Sequence, residues 1–431
     1  MKFSVSAGGS LNGEINVAGD KSVSHRSVIF GSLAEGESLV EDLLEGDDVL
    51  ATIAAFRNMG VSIDRQEPGR YSIQGVGLHG LLKPEVELDM GNSGTAMRLM
   101  CGVLSGQSFE SRLVGDASLT SRPMGRVIDP LTQMGASFSA RDNKPPLAIN
   151  PAGDLQGIHY DMPIASAQVK SSILLAGLYA SGETSVSEPA PTRDHTERML
   201  KGFGYAVERR QSAISIHGGG VLKACELSVP ADLSSATFFI VGALIASDSQ
   251  IVLPRVGVNP SRNGVLPILE MMGADIEQTN PRVVGGEPVA DLLVTSSRLQ
   301  GCEISGDDVA LAIDEIPAIA VAAAVADGVT RISGAEELRV KESDRIASVV
   351  NGLKAIGAKV HEHDDGMTIY GGQLTGGGVD SCHDHRIAMA FSMAALASKD
   401  TITILDSDNV ATSFPDFARI AADAGLKISV F

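Results

Sequence analysis

Two kinds of side chain that make chemistry possible recur along the chain: cations set beside small or polar turn residues, and carboxylates at the edge of apolar helices. Lys21 and Arg26 lie around Ser22, and a Lys is a poor choice for a helix N-terminus on dipole grounds unless an anion sits between the two. Further basic residues occur in Arg122-Pro123-Met124-Gly125-Arg126, Arg193-Asp194-His195, Arg339-Val340-Lys341-Glu342-Ser343-Asp344-Arg345 and His385-Arg386. Such groups suit phosphate and carboxylate ligands, and surface ion pairs account equally well for any one of them alone. Asp314-Glu315 opens the apolar run Ile316 to Ala326, where a carboxylate is either a helix cap or a general base held near a hydroxyl. Glu342, between Lys341 and Arg345, is either an ion-pair partner or an acid poised for proton transfer. His383 and His385 resemble a metal pair only weakly, since i, i+2 spacing on a helix puts them on different faces.

The elements that must position these groups follow from two repeated signatures. Six polar helix starts are predicted, at Asp20-Lys21-Ser22, Asn92-Ser93-Gly94-Thr95, Ser166-Ala167-Gln168, Asp232-Leu233-Ser234-Ser235, Asp314-Glu315 and His383-Asp384-His385-Arg386. Helix N-termini carry free N–H groups and the positive end of the macrodipole, so such starts are either plain N-caps or parts of an anion site. A second signature, an apolar helix end followed by Gly and a short strand, recurs at Gly60, Gly135, Gly204, Gly273, Gly357 and Gly425 with a period of roughly 70 residues. A TIM barrel or a nucleotide-binding half-fold uses about 30 residues per unit, so the longer period argues against both. Three longer units make one domain, and the chain divides into two similar α/β domains. The break is expected near Leu227 to Ala231, at Pro230, through a short hinge.

Composition bounds the partners. At 431 residues, 44% apolar and 4% aromatic with no Trp, the chain can bury a large core but has no surface built for stacking bases. A formal net charge of -19 disfavours nucleic acid and anionic membranes, while leaving a small anion free to bind a local cationic cluster. Cys101, Cys225, Cys302 and Cys382 lie far apart, which argues against structural zinc and a disulfide framework. The N-terminus lacks the apolar run of a signal peptide, so a cytoplasmic, soluble protein is expected.

Seven stretches together carry a resemblance. They are Gly19-Asp20-Lys21-Ser22-Val23-Ser24-His25-Arg26, Gly91-Asn92-Ser93-Gly94-Thr95-Ala96-Met97-Arg98, Arg122-Pro123-Met124-Gly125-Arg126, Ser166-Ala167-Gln168-Val169-Lys170, Arg193-Asp194-His195-Thr196-Glu197, Lys341-Glu342-Ser343-Asp344-Arg345 and Asp384-His385-Arg386. In order and content the chain resembles the 5-enolpyruvylshikimate-3-phosphate synthase family over nearly its whole length. The resemblance implies two domains, each of three βαβαββ units in an inverse α/β barrel, with the active site in the cleft between them. It implies domains of residues 19–229 and of 1–18 plus 230–431. It also implies transfer of the enolpyruvyl group of phosphoenolpyruvate to the 5-hydroxyl of shikimate 3-phosphate, without metal or organic cofactor, by a monomer. Shikimate 3-phosphate then falls to Lys21, Ser22, Arg26, Ser166, Ala167, Gln168, Arg193, Asp314 and Lys341. Phosphoenolpyruvate falls to Lys21, Gly94, Arg122, Gln168, Arg345 and Arg386, and the catalytic groups are Lys21, Asp314 and Glu342.

The chain departs from the common pattern in places. Ala411-Thr412-Ser413-Phe414-Pro415 lacks the Lys that many members carry there, and Leu99 replaces a frequent Pro. These changes resemble the class II branch, associated with glyphosate tolerance, whereas Gly94 keeps the small residue associated with sensitivity. The related enzyme acting on UDP-N-acetylglucosamine typically carries Lys-Asn after the first turn and a reactive Cys on a mobile loop. Here Ser22 follows Lys21, and Gly115 to Arg126 holds no Cys. A non-catalytic phosphate-ligand binding protein is the third alternative, needing the cations but neither a proton donor nor an acceptor.

Overall fold

The computed structural model describes residues 1–151 and 153–431. Its strands form six four-stranded sheets. In each, an edge strand lies parallel to its neighbour, which pairs antiparallel with the next strand inward. Three sheets are completed by strands remote in sequence. Phe3–Val5 lies between Ile402–Leu405 and Ile428–Val430, Asn12–Glu14 beside Gln250–Gly257, and Glu226–Ser228 beside Glu35–Glu41. The chain groups into two compact units, one of residues 19–229 with 284–287, the other of 1–18, 230–283 and 288–431.

The period read from the glycines is a structural one. Gly60, Gly135, Gly204, Gly273, Gly357 and Gly425 all have positive φ, between 78° and 118°. At each, the amide of the following residue reaches back five positions: Val61 to Phe56, Ala136 to Leu131, Tyr205 to Leu200, Ala274 to Leu269, Ala358 to Leu353 and Leu426 to Ala421, at 2.8 to 3.1 Å. This is the Schellman closure of a helix end, which needs a left-handed residue before the chain leaves for a strand.

Helix starts are closed by side chains at five of the six expected places. Asp20 accepts from Val23 N at 2.8 Å, Ser93 from Ala96 N at 3.1 Å, Ser166 from Val169 N at 3.4 Å, Asp232 from Ser234 N at 2.8 Å and Asp384 from Arg386 N at 2.9 Å. The cap expected from Asp314-Glu315 is absent: Glu315 occupies the N-cap position of Ile316–Val325 without a side-chain bond to it. Both carboxylates point instead at basic and hydroxyl groups described below, and Pro317 in the first turn supplies no N–H to cap.

The helices carrying these starts form the interior. In the unit that contains residues 230–283, helices Leu233–Ile245, Ile316–Val325 and His385–Ala394 pack on one another and are buried nearly all round, as their continuous Ala, Ile, Val and Phe content requires. In the unit of residues 19–229, helix Gly94–Ser105 packs closely on Ala167–Gly177. Gly102 permits that approach, because a Cβ there would stand 2.2 Å from the Ser172 carbonyl oxygen. Ser172 Oγ donates to the Arg98 carbonyl at 2.8 Å, fixing the same pair of helices in register. Gly102→Ala is expected to destabilise the protein by about 1–3 kcal/mol through overpacking, read as a lower urea midpoint; an unchanged midpoint contradicts this account of the helix contact.

Candidate active site

In the unit of residues 19–229, the Asp20 cap places Lys21 and Ser22 in the first turn of helix Lys21–Leu33, with Arg26 one turn on. Lys21 Nζ pairs with the Asp48 carboxylate, so the ammonium that breaks the dipole rule is neutralised within the fold. Arg26 is buried and its three nitrogens are all directed: Nε donates to Thr196 Oγ1 at 2.7 Å, Nη1 to the Ser22 carbonyl at 2.9 Å and Nη2 to Ser171 Oγ at 2.8 Å. Burial lowers its pKa to about 10, with Glu197, Asp20 and Glu287 opposing the shift and Arg193 adding to it. His25, also buried, contacts Thr52 Oγ1 at 2.8 Å and Ser93 Oγ, the cap of the next helix, at 3.4 Å. Burial first, then the charges of Lys21 and Arg26, hold this imidazole well below its usual pKa.

Gly94 begins the second of these helices, and its lack of a side chain has a specific use. A Cβ there would lie 2.8 Å from Arg98 Nη1 and 3.2 Å from Arg122 Nη1, so glycine admits both guanidinium groups to the helix start. Arg122 Nη2 donates to Asn92 Oδ1 at 2.8 Å and Ser118 Oγ at 3.2 Å. Arg98 Nη1 donates to Gln168 Oε1 at 2.7 Å, and Gln168 Nε2 donates to Thr95 Oγ1 at 2.9 Å. Gln168 is thereby fixed in the first turn of the Ser166-capped helix, whose first residue is Ala167. Arg193 precedes helix His195–Gly202 and lies near enough to Arg26 to act on its charge.

In the other unit, Arg345 organises the remaining residues. Its side chain is 1% exposed, and it donates through Nε to Asp384 Oδ2 at 2.8 Å, through Nη2 to Glu342 Oε2 at 2.6 Å and through Nη1 to Asp314 Oδ1 at 3.1 Å. Lys341 Nζ is 3.8 Å from Asp314 Oδ1, and Arg386 Nη2 is 4.0 Å from Asp314 Oδ2. Arg386 Nη1 donates to the Asp314 carbonyl at 3.0 Å and approaches Glu315 Oε1 at 3.4 Å. Ser234 Oγ donates to that same Glu315 oxygen. Burial disfavours charge on Arg345, but Asp384, Glu342 and Asp314 outweigh it and raise its pKa above the ordinary value. Burial likewise pushes the Asp384 carboxyl up; Arg345 outweighs it and holds Asp384 below the usual carboxylate range.

The expected residues therefore form two groups, Lys21, Ser22, Arg26, Gly94, Arg122, Ser166, Ala167, Gln168 and Arg193 in one unit, and Asp314, Lys341, Glu342, Arg345 and Arg386 in the other. Thr95 and Asp384 were expected only as parts of helix starts and Glu315 as a cap or general base beside Asp314, while Asp48 and Arg98 had no expected role. Arg98, Thr95 and Asp384 stand inside quoted motifs, and Glu315 adjoins Asp314. Asp48 carries no signal beyond an acidic first turn. Among the described residues, no group of three His, Cys, Asp or Glu side chains is arranged to hold a metal ion.

The model of the family described as EPSP synthase (3-phosphoshikimate 1-carboxyvinyltransferase) matches residues 5–420. The chain belongs to the EPSP synthase family. It is 57% identical to the 3-phosphoshikimate 1-carboxyvinyltransferase of Alkalilimnicola ehrlichii, over 100% of this chain and 97% of that one. It is 58% identical to the enzyme of that name from Acidithiobacillus ferrooxidans, over 100% and 99%. The solved EPSP synthase of Acinetobacter baumannii superposes with a TM-score of 0.90 at 51% identity, covering 99% of each chain, so the mixed α/β architecture of the EPSP synthases is also that of this chain. No helix among the described residues is long and apolar enough to cross a membrane.

The buried His25 gives a pH test of the Lys21 helix. Its folded pKa lies below the ordinary 6.5, so as pH falls through that value the unfolded chain takes up a proton that the native imidazole refuses. Stability then falls with pH, by up to about 1.4 kcal/mol per unit from this group. Urea denaturation between roughly pH 7 and 5 is expected to show that slope, and His25→Gln to remove its share of it. An unchanged slope in the variant contradicts the neutral, buried imidazole.

Proposed function

We propose that the chain is a 3-phosphoshikimate 1-carboxyvinyltransferase, transferring the enolpyruvyl group of phosphoenolpyruvate to the 5-hydroxyl of shikimate 3-phosphate with release of phosphate. Family membership supports the reaction, and the observation that carries the residue assignment is the gathering of Lys341, Arg345 and Arg386 around Asp314 and Glu342. A binding protein for a phosphorylated ligand would use the three cations. It needs neither a proton donor nor an acceptor, so a dependence of turnover on Asp314 and Glu342 separates the two readings.

On this reading both groups of residues serve one reaction. Lys21, Ser22, Arg26, Ser166, Ala167, Gln168, Arg193, Asp314 and Lys341 bind shikimate 3-phosphate, and Lys21, Gly94, Arg122, Gln168, Arg345 and Arg386 bind phosphoenolpyruvate. Asp314 takes the proton of the 5-hydroxyl as its oxygen bonds to C2 of phosphoenolpyruvate, while Lys21 or Glu342 protonates the C3 methylene. The product of this addition is a tetrahedral ketal phosphate. Loss of a proton from C3 and departure of phosphate from C2 then restore the double bond. The guanidinium groups and helix N-termini stabilise the phosphate and carboxylate charges through both steps. The protein is proposed to work as a cytoplasmic monomer on these two metabolites, with residues 19–229 and 1–18 plus 230–431 as its domains.

Phosphate release from phosphoenolpyruvate and shikimate 3-phosphate, without added metal, tests the reaction directly. Turnover is expected with shikimate 3-phosphate and not with UDP-N-acetylglucosamine. Asp314→Ala and Glu342→Ala are each expected to lower kcat by about 10²-fold or more while shikimate 3-phosphate still binds in calorimetry. Absence of release by folded protein overturns the function, and full turnover by both variants overturns the assignment of the carboxylates.

A further inference from the structure

Two of the motifs contain charged residues that the reaction does not use. Lys170, four residues after the Ser166 cap, is buried with its side chain 1% exposed, and its Nζ lies 2.7 Å from Glu188 Oε1 and 2.7 Å from Glu197 Oε1. Those two carboxylate side chains are themselves only 4% and 9% exposed. An ammonium placed there without partners costs several kcal/mol, and a buried pair contributes little net stability over well-packed apolar residues. The three charges therefore invite an explanation other than stability.

The partners come from three separate segments, two of which carry residues expected at shikimate 3-phosphate, while the third carries a hydroxyl that holds Arg26. Lys170 sits one turn into helix Ala167–Gly177, two residues after Gln168 and just before Ser171, whose hydroxyl accepts from Arg26 Nη2. Glu188 follows strand Glu183–Ser187 and accepts a hydrogen bond from Thr192 Oγ1, the residue before Arg193. Residues 188–194 have no helix or strand of their own, so this pair of contacts fixes the segment leading to Arg193. Glu197 stands in the first turn of helix His195–Gly202, beside Thr196, which accepts from Arg26 Nε and donates to Ser171 Oγ at 2.7 Å.

We propose that Lys170, with Glu188 and Glu197, is a positioning residue for shikimate 3-phosphate: its ammonium ties the helix of Ser166 and Gln168, the segment of Arg193 and the helix of Thr196 into one rigid phosphate cradle. The proposal rests on the assignment of Ser166, Gln168 and Arg193 to that substrate. Gln168 is also held independently by Arg98 and Thr95, and Arg122 by Asn92 and Ser118, so these two groups expected at phosphoenolpyruvate have anchors of their own besides Lys170. The cross-link thus sets affinity for one substrate and leaves that for the other.

Steady-state kinetics of Lys170→Met, with each substrate varied at saturation of the other, tests this. KM for shikimate 3-phosphate is expected to rise about tenfold or more, because small displacements of positioning groups are costly. KM for phosphoenolpyruvate is expected to stay within about twofold, a split that a general loss of structure does not produce. Should Lys170→Met fail to fold, the triple variant Lys170→Met, Glu188→Gln, Glu197→Gln removes the buried charges, and the same split is expected of it. A folded variant whose KM for shikimate 3-phosphate is unchanged, or whose two KM values rise together, overturns the proposal. Arg193→Ala is measured alongside. If it leaves KM for shikimate 3-phosphate unchanged, the substrate assignment fails and the cross-link proposal with it; if it raises KM while Lys170→Met does not, only the cross-link proposal fails.

Discussion

The constraint on which the rest of the structure depends is that two of the cations expected at the ligands, Arg26 and Arg345, are buried, and a buried guanidinium is tolerated only when carboxylates or directed oxygens satisfy it. Arg345 is the sharpest case: at 1% exposure it has Asp384, Glu342 and Asp314 arranged around all three of its nitrogens. The arrangement has a consequence for ligands. Since the orientation of Arg345 is set on folding, an arriving anion meets a guanidinium that has already lost its rotational freedom, and that ordering cost is not charged to binding. Arg26 follows the same rule with directed oxygens, those of Thr196, Ser171 and the Ser22 carbonyl, while the charges of Glu197, Asp20 and Glu287 offset part of the cost of its burial.

The helix starts contribute differently from the plain dipole picture. Five of them are capped by their own Asp or Ser side chains, so part of their hydrogen-bonding capacity is met before any ligand arrives. The caps serve to fix where the residues that follow stand: Lys21 after Asp20, Gly94 after Ser93, Gln168 after Ser166, Arg386 after Asp384. Small residues then let those ends come close. Gly102 allows two helices to touch along their length, and Gly94 leaves room for two guanidinium groups at one helix end.

Much of this was legible in the residues themselves. The repeated glycines marked helix ends that all prove to be left-handed closures, and five of six polar starts are side-chain caps, because both signals are local and depend on a few neighbouring atoms. The Asp314-Glu315 start misled as a cap, since distant Arg345, Arg386 and Ser234 compete for those carboxylates and periodicity carries no trace of them. Asp48 was invisible for the same reason, lying well along the chain from the Lys21 it neutralises. The Val284–Glu287 turn, which groups with residues 19–229, likewise depends on a tertiary contact, Glu287 Oε1 with His195 Nδ1 at 2.8 Å, that no spacing announces.

Folding, rather than substrate binding, orients the cation at the heart of the carboxylate cluster. Asp384→Asn keeps the shape of the side chain that anchors Arg345 and removes its charge, so kcat/KM for phosphoenolpyruvate in this variant is the most direct measurement. A fall of about 10²-fold or more in protein that remains folded by circular dichroism is the expected result. A folded variant with the parent kcat/KM would show that Arg345 needs no such anchor, and the account would be wrong.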